Sequence, residues 1–420
     1  MKTKLMFAAL AAAAVFTACN KEPNPVQNDQ IGTKSIAINV ANVLPGVKSV
    51  GETIADETQV QLNSYQVFFV GGNKLYTPMD LTAQNVADTY FDDTEVADLD
   101  RQFHFLPKAV TEVIVVGNMS EIAVGDGENE INTRTELMNK INNGEAGITI
   151  ASQKEPTELL LIGSDDTLVA MNPNGTHETA GEDEHPDPLV RADVNLKPVV
   201  ARFEITGFEY AQVPATGDQA APAREYASIA VNNVSMVKFY ETAKVDDNLA
   251  NVTTTGSIYN DQLFTLNDIY SGYFNSVDRT QWYFDAIDNL NTEADESHIL
   301  DSTTSYKWGV NDTDVTSSGK TCYYYHTFPN VVPSFVVGLT GTYTETIGEN
   351  ENTLATPLYL QTTALMNGTQ QITKTEAGKI YRMYFKFDDT NIKDAEKCIA
   401  VYVTVLNWDV VITTPVFGNN

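Results

Sequence analysis

Histidine is scarce in this chain, with five residues in 420, and cysteine scarcer still, with three. Basic residues number 26 against 56 acidic ones. Each shortage excludes something. Few histidines leave little material for metal clusters or acid–base dyads. His177 and His185 flank Glu178, Glu182, Asp183 and Glu184, but in a loop-like stretch whose ordering would oppose coordination. Asp312 and Asp314 sit in a polar run that lacks the glycine and terminal glutamate of a calcium loop. There is no HExxH, no Gly-x-Ser-x-Gly and no Gly-x-x-x-x-Gly-Lys. No carboxylate pair stands out for glycoside hydrolysis. The expectation is a protein that is not an enzyme, with no catalytic residue, metal or cofactor. Five basic but only two acidic residues precede Ser49, leaving 21 against 54 from there on. Such a surface repels phosphate backbones, which argues against nucleic acid as a partner. Acidic runs such as Glu182-Asp183-Glu184 and Asp246-Asp247 read as solvated loops.

Long apolar runs are also missing. The run Leu5 to Val15 is too short to span a bilayer as a helix. With Lys2 and Lys4 before it and Phe16-Thr17-Ala18-Cys19 after it, it reads as a secretory signal peptide. A cysteine directly behind small residues resembles the lipobox of bacterial lipoproteins, in which the thiol is acylated and becomes the new N-terminus. Leucine is usual where this chain has Phe16. Cys322 and Cys398 remain as an even pair in an oxidising compartment, either bridged or as two buried thiols. Asn20 to Gln30 is a polar tether.

From Ser35 the chain reads mostly with a period of two. Ile36, Ile38 and Val40 alternate with Ala37, Asn39 and Ala41, and Pro45-Gly46 stops that strand before Lys48. Val60 and Leu62 lead into Val67-Phe68-Phe69-Val70, closed by Gly71-Gly72. Val113–Val116 and Leu159–Ile162 read as buried strands. One segment reads as a helix: Thr133 and Glu136 have capping-box spacing, and Leu137, Met138 and Ile141 follow before Asn143-Gly144. Residues 172–191 read as a loop or linker. Beyond it Ala201, Phe203 and Ile205 alternate with Arg202, Glu204 and Thr206. The stretch 241–320 carries little pattern, with one short helix suggested near Leu263–Tyr270. Tyr323-Tyr324-Tyr325 fits a core face and a half-exposed face of a strand more readily than a sugar platform. Strands return at Ser334–Tyr343, Leu358–Leu365, Lys379–Asp388, Ile399–Leu406 and Val410–Phe417. Many short strands and few helices predict a mainly β protein of two β-sandwich domains, divided near residue 197.

The order of these features resembles the fimbrillins, the shaft subunits of type V pili in Gram-negative anaerobes. A lipobox, a tether, an early strand and a basic residue in a turn are followed by two β-rich halves. The second half opens with Lys197-Pro198-Val199-Val200-Ala201-Arg202-Phe203-Glu204-Ile205. Near the end come Gly378-Lys379-Ile380-Tyr381-Arg382 and Val403-Thr404-Val405-Leu406-Asn407-Trp408. The resemblance implies transthyretin-like sandwich domains and a precursor held in the outer membrane by lipid on Cys19. It further implies a trypsin-like protease that cuts behind the first strand. A neighbouring copy then fills the opened groove with its C-terminal strand, giving a head-to-tail filament on the cell surface joined by tip and anchor subunits.

Mapped here, the signal peptide is residues 1–18, the lipidated tether 19–34, and the removable strand lies within 35–48, carried by Ile36, Ile38 and Val40. The cut falls between Lys48 and Ser49, although the family usually cuts after arginine and the first arginine here is Arg101. The two sandwiches are 49–197 and 198–408, and the donor strand is 409–420, with Val410, Ile412, Val416 and Phe417 as pocket-filling residues and Pro415 interrupting their alternation. Three other readings stay open: both chain ends pair within their own domains, the protein is a non-polymerising surface adhesin or glycan-binding lipoprotein, or it is a pilus tip or anchor subunit.

Overall fold

The computed structural model describes residues 33–41, 43–45, 60–79, 86–92, 95–155, 158–172, 188–211, 226–249, 251–259, 284–286, 299–301, 307–309, 323–347, 350–362, 364–367, 370–388 and 401–407. Strands dominate. Thr33–Ala41 is the first, two residues earlier than the alternation suggests. After it Val43–Pro45 pairs in parallel with Val60–Leu62.

Residues up to 198 supply two larger sheets. One runs Val169–Asn172, Leu189–Asn195, Thr33–Ala41, Asp100–Pro107. The other runs Lys197–Pro198, Leu161–Asp165, Glu112–Gly117, Ser64–Gly71, Lys74–Tyr76, with Tyr90–Asp92 also on Ser64–Gly71. The two pack face to face. Phe69 of one sheet meets Phe103 of the other edge-on at 5.0 Å. A Cβ on Gly163 would lie 2.4 Å from the Asn195 carbonyl oxygen, so only glycine permits that approach of the sheets.

Beyond residue 198 the pattern repeats. Ala201–Ala211 lies between Tyr323–Thr327 and Lys307–Gly309 on one side and Lys379–Asp388 on the other, followed by Val401–Asn407, Leu365–Asn367 and Gln370–Ile372. The facing sheet centres on Ser228–Val237, Ser334–Ile347 and Asn350–Gln361, with Phe284–Ala286 and Ile299–Asp301 at the edge. Phe203 and Phe335 join the two layers at 5.4 Å. A further, small sheet crosses the divide: Ile148–Thr149 pairs with Phe239–Val245, which pairs with Val252–Tyr259. The buried amide of Asn142 extends that crossing, donating to the Val245 carbonyl at 2.9 Å and accepting from its N–H at 2.7 Å.

The helix Arg134–Ile141 carries the expected capping box, with the Thr133 side chain accepting from the Glu136 N–H and the Glu136 carboxylate accepting from the Thr133 N–H. Leu137, Met138 and Ile141 are buried, and Asn143 and Gly144 both take positive φ beyond it. Several further boundaries differ from the sequence expectation. The linker ends before Leu189, because Leu189-Val190-Arg191 already belongs to a strand. The stretch after 241 contains Phe239–Val245 and Val252–Tyr259, whose inward residues Ala243, Val245 and Val252 are small enough to leave a faint pattern. The strand expected at Leu358–Leu365 runs from Asn350 to Gln361; of the one expected at Ile399–Leu406 the described part is Val401–Asn407, one residue longer at its end. The helix suggested near Leu263–Tyr270 and the strand Val410–Phe417 lie outside the described residues.

Candidate site: an internal slot for the first strand

Thr33–Ala41 is not an edge strand. It runs parallel to Leu189–Asn195 on one side and antiparallel to Asp100–Pro107 on the other. Ile36 stands opposite Val190 and Phe103, Ile38 opposite Ala192 and Arg101, and Val40 opposite Val194. Ile36, Ile38 and Val40 are 0 %, 2 % and 2 % exposed, whereas Asn39 between them faces solvent. The sequence alternation therefore maps onto an inward and an outward face. Burying these three side chains stabilises the strand by about 5–9 kcal/mol, an upper figure because the unfolded chain is itself partly compact.

The slot has walls and a floor. Phe103, Leu106, Ala192 and Val194 are buried in the flanking strands. Phe69 and Phe91 of the facing sheet come within 5.0 Å and 6.3 Å of the Phe103 ring, measured between centroids. The ends of the strand are held by backbone bonds from Ser35 N–H to the Pro188 carbonyl (3.0 Å) and from Val40 N–H to the Leu99 carbonyl (3.0 Å). The Lys34 ammonium donates to the Val110 carbonyl, and burial holds its pKa below the ordinary lysine value.

One irregularity marks the mouth of the slot. Between Lys34 and Ile36 the antiparallel register slips by one, so that His104 and Phe105 together oppose Ser35. A hydrogen bond of 2.9 Å joins Ser35 Oγ to His104 Nδ1. Phe105 takes φ 57° and is 36 % exposed. Sequence reasoning singles out neither His104 nor Phe105; the only signal is a Phe103-His104-Phe105-Leu106 run with too many large residues for strict alternation.

Of the site residues expected from the sequence, Ile36, Ile38 and Val40 come together in this slot. Cys19, Lys48, Ser49, Val410, Ile412, Val416 and Phe417 lie outside the described residues, as do His177, His185, Asp312, Asp314, Cys322 and Cys398. Tyr323 and Tyr325 are buried in the core, and the half-buried Tyr324 lies under the Arg202 guanidinium, 4.3 Å from carbon to ring centroid. Among the described residues no three or more His, Cys, Asp or Glu side chains converge.

A second cluster is hidden from the sequence. The alternation puts Arg202, Glu204 and Arg382 on the outer faces of their strands, yet they are 4 %, 0 % and 4 % exposed. Both guanidiniums bond the Glu204 carboxylate, at 2.7 Å and 2.9 Å. Beside them His326 is fully buried, its Nδ1 donating to the carbonyls of Gln153 (2.8 Å) and Lys154 (2.9 Å) from the first half of the chain.

No protein-family model matches this sequence, and no curated protein matches it. Solved structures of similar outline exist. A fimbrilin from Porphyromonas gingivalis is 11 % identical with a TM-score of 0.45, over 91 % of this chain and 99 % of that one. A protein from Parabacteroides distasonis, provisionally described as a cell adhesion protein, is 11 % identical with a TM-score of 0.46, over 90 % and 98 % of the two chains. The fimbrial anchor protein of Porphyromonas gingivalis is 9 % identical with a TM-score of 0.28, over 91 % and 100 %.

Proposed function

We propose that this chain is a structural subunit of a cell-surface pilus that polymerises by strand exchange after proteolytic loss of its first strand. The observation that carries the reading is the interior position of Thr33–Ala41 between Leu189–Asn195 and Asp100–Pro107. Losing an edge strand leaves one new edge. Losing this strand leaves a gap bounded by two facing edges over a row of apolar sockets. Such a gap favours an extended segment with alternating apolar side chains, and the exposed ladders supply its backbone partners. Before cleavage the chain's own strand keeps both edges satisfied and blocks premature association.

The donor is the C-terminal segment 409–420 of a neighbouring copy, with Val410, Ile412, Val416 and Phe417 entering the slot. Burying four such side chains contributes roughly 6–12 kcal/mol before ordering costs, enough for a tight contact. The contact is head-to-tail, so it builds an open filament. The precursor travels as a lipoprotein acylated on Cys19 to the outer membrane, a trypsin-like protease cuts after Lys48, and the two sandwiches of residues 49–197 and 198–408 form the body. The protein performs no catalysis and takes no cofactor; its partners are further copies and the tip and anchor subunits.

Deleting residues 409–420 tests the donor. The expected product is a processed, folded subunit that cannot extend a filament. Filaments of normal length from the deletion would remove the mechanism and favour a surface adhesin that never exchanges strands.

A further inference from the structure

We propose that the bulge at His104–Phe105 is a spring-loaded cover for the slot: when the first strand leaves, Phe105 turns inward over the vacated sockets, and the incoming donor strand turns it out again. This rests on the strand-exchange reading above and adds to it a state between cleavage and assembly.

One residue is held against its own preferences. Phe105 adopts φ 57°, a region that aromatic side chains rarely occupy and that glycine normally fills at such a bulge. Its ring is among the exposed large hydrophobic groups of the described residues. The bulge decides which side chain faces inward. With it, Phe103 and Leu106 are buried and Phe105 is turned out. An unbulged strand would put Phe103 and Phe105 on one face, two residues apart, with Leu106 on the other.

Part of what enforces the outward choice comes from the first strand. Ser35 faces the two-residue bulge and its hydroxyl holds His104. Lys34 pairs with Leu106 and anchors its ammonium on Val110. All of these leave with the strand. The Met79 N–H bond to the His104 carbonyl (3.2 Å) stays, which makes Phe105 the first residue beyond a fixed pivot. The space that opens beside Phe103 is the one Ile36 filled. Relaxation therefore removes the backbone strain and covers apolar surface in the same motion.

The test uses the full chain carrying Phe105→Cys, alone and with Ile36→Asp plus Ile38→Asp, which expel the first strand without shortening the protein. Maleimide labelling of the thiol introduced at position 105 is read by peptide mass, together with hydrogen exchange at Leu189–Asn195. The expected result is loss of protection at Leu189–Asn195, with thiol labelling slowed about tenfold relative to the single variant, as expected for a site that becomes protected. Fast exchange at Leu189–Asn195 with unchanged thiol labelling overturns the cover and leaves the slot standing. Retained protection at Leu189–Asn195 overturns both. Should the triple variant not fold, Phe105→Gly in the otherwise native chain decides. Release of strain raises its melting temperature, whereas a lower one shows that Phe105 is not held under strain and ends the proposal.

Discussion

His326 and Gln153 are joined by a 2.8 Å hydrogen bond from Nδ1 to the Gln153 carbonyl, although 173 residues separate them. The bond ties Tyr323–Thr327 to the short turn that follows Ile148–Thr149, and so links strands from both sides of residue 198. With its Nδ1 proton given to two carbonyls, the imidazole is neutral. Burial, and then the neighbouring Arg202 guanidinium, push its pKa down to about 3 from 6.5.

Below the unfolded value of 6.5 the unfolded chain takes up a proton that the folded chain refuses until about 3. Stability contributed by this site is complete above pH 6.5 and is lost as pH falls toward 3, by up to about 1.4 kcal/mol per pH unit. His326→Asn keeps an N–H donor without the titration. Urea unfolding between about pH 7.5 and 4.5, a window that spans the unfolded histidine value, should show a steeper loss for the native protein than for this variant; equal slopes would refute the assignment.

The Arg202–Glu204–Arg382 cluster gives a second contrast. Removing the central charge with Glu204→Gln leaves two buried guanidiniums facing a neutral amide, at a cost of about 3–5 kcal/mol. The Lys244–Glu145 pair is nearly as short at 3.1 Å, but Glu145 is fully exposed. Glu145→Gln should change stability far less, since an exposed pair is screened by solvent. Denaturant midpoints of the two variants check this; similar losses would mean that burial is not what sets the cluster's energy.

Gly163 bears on the slot from behind. A methyl group there would meet the Asn195 carbonyl at 2.4 Å and the Val194 Cγ1 at 2.9 Å. Val194 and Asn195 are the register partners of Val40 and Ala41. Gly163→Ala should force that wall away from the facing sheet, destabilise the protein by about 1–3 kcal/mol and, through its pairing with the first strand, quicken amide exchange at residues 38–41. Unchanged exchange there would show that the wall yields without disturbing the strand.

How much of this is legible in the sequence depends on whether the signal is local. The alternation of Ile36, Ile38 and Val40 gives the inward face directly, and Thr133 with Glu136 marks the one clear helix start. Leu189–Asn195, which forms the other wall, is masked by prolines and acids before it and by Arg191 and Asp193 on its outer face. The alternation at 201–206 is present in the strand, but it does not show that Gln153 and Lys154, far back in the chain, meet His326 beside the charged face. Arg382 lies 178 residues from Glu204, a pairing that no local pattern announces. The bulge at Phe105 likewise depends on the partner strand rather than on its own sequence.

Strand exchange requires removal of the first strand before assembly. Its most direct test is the N-terminal residue and intact mass of the protein in filaments isolated from the cell surface. The account predicts a chain beginning at Ser49, or within a few residues of it, without lipid. Filaments whose subunits still begin at acylated Cys19 and retain Thr33–Ala41 would contradict it.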